Sequence, residues 1–468
     1  MGYLRPISPI QRFLTPMEHL MDPTPHPFTA QPHRTLLRLS IPVLISLTAE
    51  PVTALVDTGF ISSLGVVPLA ALGVGTTALS SMFWMFGFLG VGAQTEIALL
   101  HGAGKKEQAG GILSLTLLLS LLGGILTLLI ISPAAHWLAG ILGASGAVQA
   151  NAVDYIQIRL FGAPAVLLTL TISGAFRGVQ NMRTPLWIAL VVNGLNILLD
   201  WMLIFGAGPI PELGVRGSAL ASTISQWIGA LAGLVLVIRE IKPSRTFQLG
   251  ETLKIMRIGG DMFVRTGMLN LFLFYTTRGA NQISPDAGAA HQIIRQMWMF
   301  TALALDAFAA TVQSLVGFFI GQGSVPKAKS VVRTGLAWSI GTGFVLSGLM
   351  GAGQNLVIRY LVPASAAAVF IPAWLVSTLS QPLNSVAFLT DGVHLGTGDY
   401  SFLRNAVLTS SLVGILGLWL LERSGSGSLY WIWVWITIWI IFRASFGILR
   451  VWPGIGKSIF RASNKPNL

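Results

Sequence analysis

Cysteine is absent from this 468-residue chain, and Asp, Glu, Lys and Arg together make up only 10% of it. The absence of cysteine excludes disulfide frameworks, thiolate metal sites and thiol nucleophiles. Soluble globular proteins carry about 25% charged residues, whereas this chain is 53% hydrophobic and has a mean hydropathy of +0.72. Because a soluble fold could not bury that much apolar surface, the composition predicts an integral membrane protein.

The sequence contains long apolar runs in which charged residues are rare. A helix needs about 20 apolar residues to cross a bilayer, and several runs reach that length. We therefore predict an all-α fold of about twelve transmembrane helices. The predicted spans are residues 35–58, 66–101, 110–132, 150–176, 184–207, 214–238, 254–281, 287–321, 330–352, 364–392, 402–421 and 428–450.

The net charge of +12 is carried largely by cations in alternate loops between the predicted spans. Lys and Arg in short loops mark the cytoplasmic side of a membrane protein. We therefore predict that both termini are cytoplasmic, and that the basic balance reports orientation and not a nucleic-acid partner. The cations are Arg5, Arg12, Arg34, Lys105, Lys106, Arg177, Arg183, Arg239, Lys242, Arg245, Lys327, Lys329, Arg333, Arg404, Lys457, Arg461 and Lys465.

Polar stretches divide the chain. Residues 1–34 hold seven prolines and are predicted to be a disordered cytoplasmic tail, and residues 451–468 a basic cytoplasmic tail. Residues 239–253 are predicted to be a cytoplasmic loop. This loop separates an N-terminal lobe of six helices, residues 35–238, from a C-terminal lobe of six helices, residues 254–450.

The two halves repeat each other in one register. QTEIALLHGAGKKEQA (94–109) aligns with QSLVGFFIGQGSVPKA (313–328) at an offset of 219 residues. The offset pairs Gln94 with Gln313 and Gly102 with Gly321. Since repeated halves are a common plan among secondary transporters, we predict two lobes with the substrate path between them.

Acidic residues inside the predicted spans are few, and a charge at the bilayer centre costs about 2.5–3.5 kcal/mol. On the first predicted helix, Glu50 and Asp57 are seven residues apart and share a face. Pro42 and Pro51 lie in the same helix, where a proline permits a kink. We interpret the acids as protonatable or cation-binding groups on a bendable helix. The alternative is an acid bonded to a neighbouring hydroxyl or amide.

The fifth predicted helix carries a polar stripe, with Asn193, Asn196 and Asp200 at i, i+3 and i+7. Such a stripe on an apolar helix faces the protein or a wet cavity. Because an amide can hydrogen-bond a carboxyl group or offer an oxygen to a sodium ion, we predict a cation-exchange site here. An interhelical polar clamp is the alternative.

Asp306 and Asp391 are the corresponding acids of the second half. Each is either a second coupling site or the structural partner of a polar or basic side chain. Asp261 and Arg265 are spaced i, i+4 near the start of the seventh predicted helix, and we expect them to form an ion pair.

The sequence lacks the enzymatic motifs that we considered. GIGKS (454–458) lacks the first glycine of a phosphate loop, because Val451 stands in its place. HExxH and GxSxG are absent and the seven histidines are scattered, so we predict no metal, no cofactor and no catalysis. Without an ATP site, transport would run on an ion gradient or simply downhill.

Five stretches, in this order and spacing, carry a family resemblance. They are LVDTGFISSLG (55–65), GAFRGVQNMRTP (174–185), NILLD (196–200) followed by LGVRGSALASTISQ (213–226), LDAFAATVQSLVGFFIGQG (305–323) and QPLNSVAFLTDGVHLGTGD (381–399). On these stretches the chain resembles the multidrug and toxic compound extrusion (MATE) family, DinF-like branch, from about residue 35 to 450.

The resemblance implies two six-helix lobes around a V-shaped cavity, with drug export coupled to proton or sodium entry. It matches Pro42 and Asp57 to the first-helix kink and acid, and Asn196 and Asp200 to the polar cluster of the N-terminal lobe. The seventh helix lacks the mid-membrane glutamate of the NorM-like branch and has Asp261 near its start.

The sequence thus predicts a secondary antiporter, exporting small organic, often cationic compounds in exchange for protons or sodium ions. We expect a monomer in the bilayer of a bacterial inner membrane or of an organelle. Three alternatives stay open. A lipid-linked saccharide flippase would want a cation-lined groove, whereas the cations lie mainly in loops. A membrane-embedded enzyme would need a His/Asp or Ser/His pair at one membrane face, which the scattered histidines do not offer. A passive channel would show no saturable dependence on a counter-ion.

Overall fold

The computed structural model describes residues 26–208, 211–244, 249–425 and 427–464. Within these ranges the regular structure consists of α-helices, numbered α1 to α16, and the two 3₁₀ turns Ala364–Ala366 and Ile459–Asn464. Residues 1–25 of the predicted tail, with Arg5 and Arg12, lie outside the described residues, as do Arg245 and Lys465.

Nine helices form the first half of the chain. They are α1 (Pro27–Ala30), α2 (Pro32–Ser62), α3 (Val66–Met85), α4 (Gly87–Gly102), α5 (Lys106–Ile141), α6 (Gly146–Leu160), α7 (Ala163–Gly178), α8 (Arg183–Phe205) and α9 (Val215–Ile241). Seven form the second half. They are α10 (Leu249–Ile283), α11 (Pro285–Gly321), α12 (Val325–Leu361), α13 (Ala367–Leu379), α14 (Gln381–Gly396), α15 (Tyr400–Arg423) and α16 (Leu429–Val451).

Nine spans in the described residues are long and apolar enough to cross a membrane, the run of α3 and α4 counting as one. Two bent pairs raise the number to eleven: α6 with α7, bent by 51°, and the Ala364–Leu379 segment with α14, bent by 48°. The second helix of each pair has a proline in its first turn, where its missing N–H is tolerated. Helix α10 covers the predicted span 254–281 but is not among these eleven, because its charges lower its hydropathy.

The lobes meet along α4 and α11, and the predicted repeat is visible in their contacts. Gln94 Nε2 donates to the Ala310 carbonyl oxygen at 2.8 Å, and Gln313 Nε2 donates to the Val91 carbonyl oxygen at 3.3 Å. Ala310 follows Val91 by the same 219 residues that separate the two glutamines. We call this α4–α11 contact the seam.

Glycines let the two backbones touch at the end of the seam. A Cβ atom at Gly102 would lie 1.9 Å from the Phe318 carbonyl oxygen, and one at Gly321 would lie 2.0 Å from the Leu99 carbonyl oxygen. Only a residue without Cβ fits such an approach. The seam therefore closes the bundle at the end where α4 and α11 run into the predicted basic loops, which we call the basic end.

The prediction of disorder is corrected for residues 26–34. These residues form α1 and the first turn of α2, and the Phe28 side chain is only 2% exposed. Arg177, which we predicted to lie in a loop, lies in the last turn of α7, and its carbonyl oxygen accepts a hydrogen bond from Ser314 of α11. Both corrections arise from contacts with the opposite half of the chain, which local sequence does not reveal.

Candidate functional site

A buried polar cluster lies inside the N-terminal lobe, where α2 packs against α8. Asn196 Nδ2 donates to Asp200 Oδ2 at 2.8 Å and lies 3.5 Å from Ser222 Oγ on α9. Asp200 is fully buried, and its carboxyl group lies close enough to that of half-buried Asp57 on α2 for the two groups to interact. The structure thus brings together Asp57, Asn196 and Asp200.

The contact between the two carboxyl groups has a chemical requirement. An ionised carboxylate only accepts hydrogen bonds, so two of them can bond each other only when one carries a proton. A hydrogen bond between Asp57 and Asp200 would therefore require a proton on one of the two groups.

Arg159 and Tyr155 of α6 complete the cluster, and sequence reasoning missed both. The charge of Arg159 acts on both carboxyl groups, and buried Tyr155 lies beside Arg159, one helical turn away. With one proton on the acid pair, the Arg159 guanidinium would balance the charge of the other carboxylate. A charge inside the membrane is costly for arginine as well as for acids. Arg159 lies within the predicted span 150–176, so the sequence alone could have indicated it as a site residue.

Two predicted members of this site lie elsewhere. Asn193 Nδ2 donates to the Ala189 carbonyl oxygen of its own helix at 2.8 Å. Glu50 lines the cavity between the lobes and does not join the Asp57 pair. Seven residues are about 10 Å along a helix, so two side chains on one face of α2 reach different surroundings.

A cavity of about 800 Å³ lies between the lobes. Its carboxylates are Glu50 from α2 and Asp306 from α11, one from each lobe, and Arg265 of α10 also lines it. Aromatic rings and neutral polar side chains make up much of the remaining wall, among them Phe83, Trp84, Phe88, Phe263, Gln226 and Asn270. The cavity therefore combines apolar surface with acidic groups.

Behind the cavity wall, Asp391 joins two arginines. Its Oδ2 atom lies 2.5 Å from Arg265 Nη2 and 2.7 Å from Arg443 Nη2. The Arg443 guanidinium also stacks 4.5 Å from the Trp439 ring centroid. Asp391 is thus the partner of basic side chains in this structure, whereas Asp306 faces the cavity and makes no salt bridge with any described residue.

The expected Asp261–Arg265 ion pair is wrong. Arg265 pairs with Asp391, and Asp261 accepts hydrogen bonds from Arg404 and from Ser401 Oγ, the latter at 2.9 Å. Spacing along one helix brought the two residues within reach. Partners on α14 and α15 offer each of them a more buried ion pair.

The sequence profile of the MatE family matches residues 42–202 and 263–420, one block in each lobe. The chain belongs to the MatE family. The predicted MATE assignment is thereby confirmed, and the protein is a multi-pass membrane transporter and not an enzyme.

Relatives of known name extend over nearly the whole chain. Protein DETOXIFICATION 44, chloroplastic, of Arabidopsis thaliana is 27% identical over 466 residues, 95% of this chain and 87% of that protein. DNA damage-inducible protein F of Escherichia coli (strain K12) is 28% identical and covers 91% of this chain and 93% of its own length. A solved structure described as MATE in the bent conformation has the same fold, with a TM-score of 0.84 at 23% identity over 92% of this chain and 97% of that one.

This MatE transporter also carries cations away from its loops. Arg265 lines the cavity, and Arg443 is only 4% exposed on α16. The sequence argument against a flippase was that the cations lie mainly in loops. These two arginines lie within helices, so that argument is incomplete. What still weighs against a cation-lined groove is that, among the described residues, Arg265 is the one basic side chain lining the cavity, and it forms an ion pair with Asp391.

Proposed function

We propose that this MatE transporter is a secondary antiporter that exports small organic, often cationic compounds in exchange for protons. The observation that supports it is the interacting pair of half-buried Asp57 and buried Asp200, which can share one proton. An intramembrane acid pair is a natural carrier of a coupling ion. The sequence did not decide whether the coupling ion is a proton or a sodium ion. We choose protons because one proton shared by two carboxyl groups allows them to hydrogen-bond each other directly.

The coupling runs through α2. This helix holds Asp57 against α8 and presents Glu50 to the cavity, and Pro42 and Pro51 lie inside it. Each proline removes one backbone hydrogen bond, so α2 bends at low cost at these positions. When the proton leaves, two carboxylates repel each other and release α2 from α8. A bend in α2 then moves Glu50 and reshapes the cavity.

The cavity lining supports the substrate class. Glu50 and Asp306 present carboxylates without a salt-bridge partner among the described residues, and Arg265, the single lining cation among them, is paired with Asp391. Aromatic rings in the wall attract cations through their faces. The name of the DETOXIFICATION relative agrees with export of unwanted compounds.

The cation pattern supports the proposed orientation, and the relatives support the proposed location. The positive-inside rule places the basic end and both termini in the cytoplasm. A bacterial inner membrane agrees with the Escherichia coli relative, and an organelle membrane with the chloroplastic one.

The proposal is tested by Asp57→Asn in a drug-sensitive host that lacks its own efflux pumps. The variant carries a permanently neutral amide, so we expect normal expression and loss of efflux. Thr58→Ala is the matched control, because the Thr58 hydroxyl bonds only its own helix and is exposed. Full efflux by Asp57→Asn would refute the coupling role.

Reconstituted vesicles identify the ion. We expect a pH gradient to drive uptake of a fluorescent organic cation with no sodium present, and an ionophore that collapses the gradient to stop it. Transport that follows the sodium gradient at constant pH would replace protons by sodium. Transport that needs neither gradient would make the protein a passive channel.

A further inference from the structure

A short segment before α2 lies across the seam at the basic end. This segment, His26–Gln31, contains α1, and we call it the strap. His26 Nε2 lies 2.8 Å from Gln180 Oε1, which belongs to the turn between α7 and α8 of the N-terminal lobe. The His26 ring packs on Phe318 and Phe319 of α11, in the C-terminal lobe, at centroid distances of 4.8 and 5.1 Å. One side chain therefore contacts both lobes.

Phe28 anchors the strap. Its side chain is only 2% exposed, and its ring centroid lies 5.9 Å from that of Phe319. His101 of α4 reaches the same aromatic surface from the other lobe, 5.5 Å from Phe318. Buried aromatic contacts of this kind carry much of the binding energy at protein interfaces. The two phenylalanines of α11 are thus a docking surface that the strap and α4 share.

The hydrogen bonds of His26 define its protonation state. Its Nδ1 accepts from the Phe28 backbone N–H at 3.1 Å and so bears no hydrogen, which leaves Nε2 to donate to Gln180. Only the neutral ring makes both bonds. A charged ring would point an N–H at the N–H of Phe28.

Burial lowers the pKa of His26; the Gln180 bond opposes this effect and the charge of Lys327 on α12 adds to it. The ionisable groups that face His26 are Lys327 and His101, and neither stabilises a positive ring. Because the pKa is lowered, the contribution of neutral His26 to docking is fully present above about pH 6.5. It is lost as the pH falls through the lowered pKa of His26.

We propose that the strap docks into the pocket formed by Gln180, Phe318 and Phe319, holds the basic end of the transporter closed, and releases it on acidification at that end. The strap continues directly into α2, so its release also frees the end of the helix that carries Asp57. The inference rests on the proposed function in one respect, that the basic end opens during alternating access.

The test uses spin labels on the full chain in lipid nanodiscs. Lys105 and Gln322 are exposed and follow α4 and α11 on opposite sides of the seam. The pair Lys105→Cys and Gln322→Cys can be labelled selectively, because the chain has no cysteine of its own. The distance distribution between the labels reports the open and closed populations of the basic end.

Two variants remove side chains of the strap, and a third alters the residue that the strap hydrogen-bonds. We expect His26→Ala and Phe28→Ala each to raise the open-to-closed ratio about tenfold, the worth of a hydrogen bond or a buried ring contact. Gln180→Asn shortens the partner amide while tolerating the φ of +64° at this position, and should act like His26→Ala. Ala30→Ser is the control, since its side chain is exposed.

Lowering the pH from 7.5 to 5.5 should open the unmodified basic end, and the response should be clearly smaller in His26→Ala. An unchanged distribution in His26→Ala and Gln180→Asn, with both eluting as folded monodisperse protein, would overturn the strap. Equal pH responses with and without His26 would overturn the release step. No substrate is present, so these outcomes are independent of efflux by Asp57→Asn, which tests the antiport proposal alone.

Discussion

The substitution Gly102→Ala tests the closed seam directly. Its new Cβ atom would lie 1.9 Å from the Phe318 carbonyl oxygen, whereas ordinary contacts begin near 3.4 Å, so α4 and α11 must separate by the difference, 1.5 Å. Backbone is the obstacle, and no side-chain rotation relieves it. Overpacking of this kind costs about 1–3 kcal/mol, which lowers the closed-to-open ratio of the basic end about 5- to 150-fold.

The pseudo-symmetry of the seam supplies an internal replicate. Gly321→Ala would place its Cβ 2.0 Å from the Leu99 carbonyl oxygen, so the two variants should shift the equilibrium by similar amounts. Gly341→Ala on α12 is the matched control, because nothing lies within 4 Å of its added methyl group. A methyl group there removes the glycine penalty of a helix interior and leaves the seam intact.

The label pair at positions 105 and 322 measures this shift without further engineering. We expect the Gly102→Ala and Gly321→Ala distributions to gain a longer component that the control lacks. If both variants are folded and keep the parent distribution, the basic end is not closed by these contacts. A response to only one of them would contradict the equivalence of the two halves.

Two further predictions concern the polar clusters. Asn196→Ala removes the amide that bonds Asp200, a contact worth about 1.5–3 kcal/mol for a charged partner, and should reduce the efflux rate at least tenfold, whereas Asn193→Ala should leave it unchanged; equal rates for the two variants would contradict the assignment of the site. Asp391→Asn leaves two buried arginines without their carboxylate and should destabilise the protein by about 3–5 kcal/mol, seen as a lower melting temperature in detergent, and adding Arg443→Met should restore part of the loss. An unchanged melting temperature would mean that the pair is not a structural one.

Eleven of the twelve predicted spans match long apolar helices or bent pairs within the described residues. These spans and the repeat could be predicted because both are local properties of sequence. A run of apolar residues must form a helix in a bilayer whatever its neighbours are, since each backbone group needs a partner within the segment. Even the two bent pairs were predicted as single spans, 150–176 and 364–392, and the register of 219 residues reappears in the glutamine contacts of the seam.

The site was only partly predictable for a related physical reason. Helix periodicity correctly placed Asn196 and Asp200 on one face, but it also suggested that Asn193 and Glu50 belong with them. Asn193 satisfies its amide within its own helix, and Glu50 lies far enough along α2 to reach the cavity. Sequence spacing gives the direction of a side chain around its helix, and not what stands opposite it.

The sequence by itself determined that this protein lives in a membrane, that it has two repeated lobes, and which few acids need an explanation. The tertiary structure alone decided that Asp57 lies beside Asp200 and that Arg265 pairs with Asp391 and not with Asp261. It also decided that residues 26–31 form a strap across the seam. The division has a physical cause. Insertion into a bilayer depends on the composition of each segment, whereas the pairing of buried charges depends on how helices from distant parts of the chain rotate and tilt against each other.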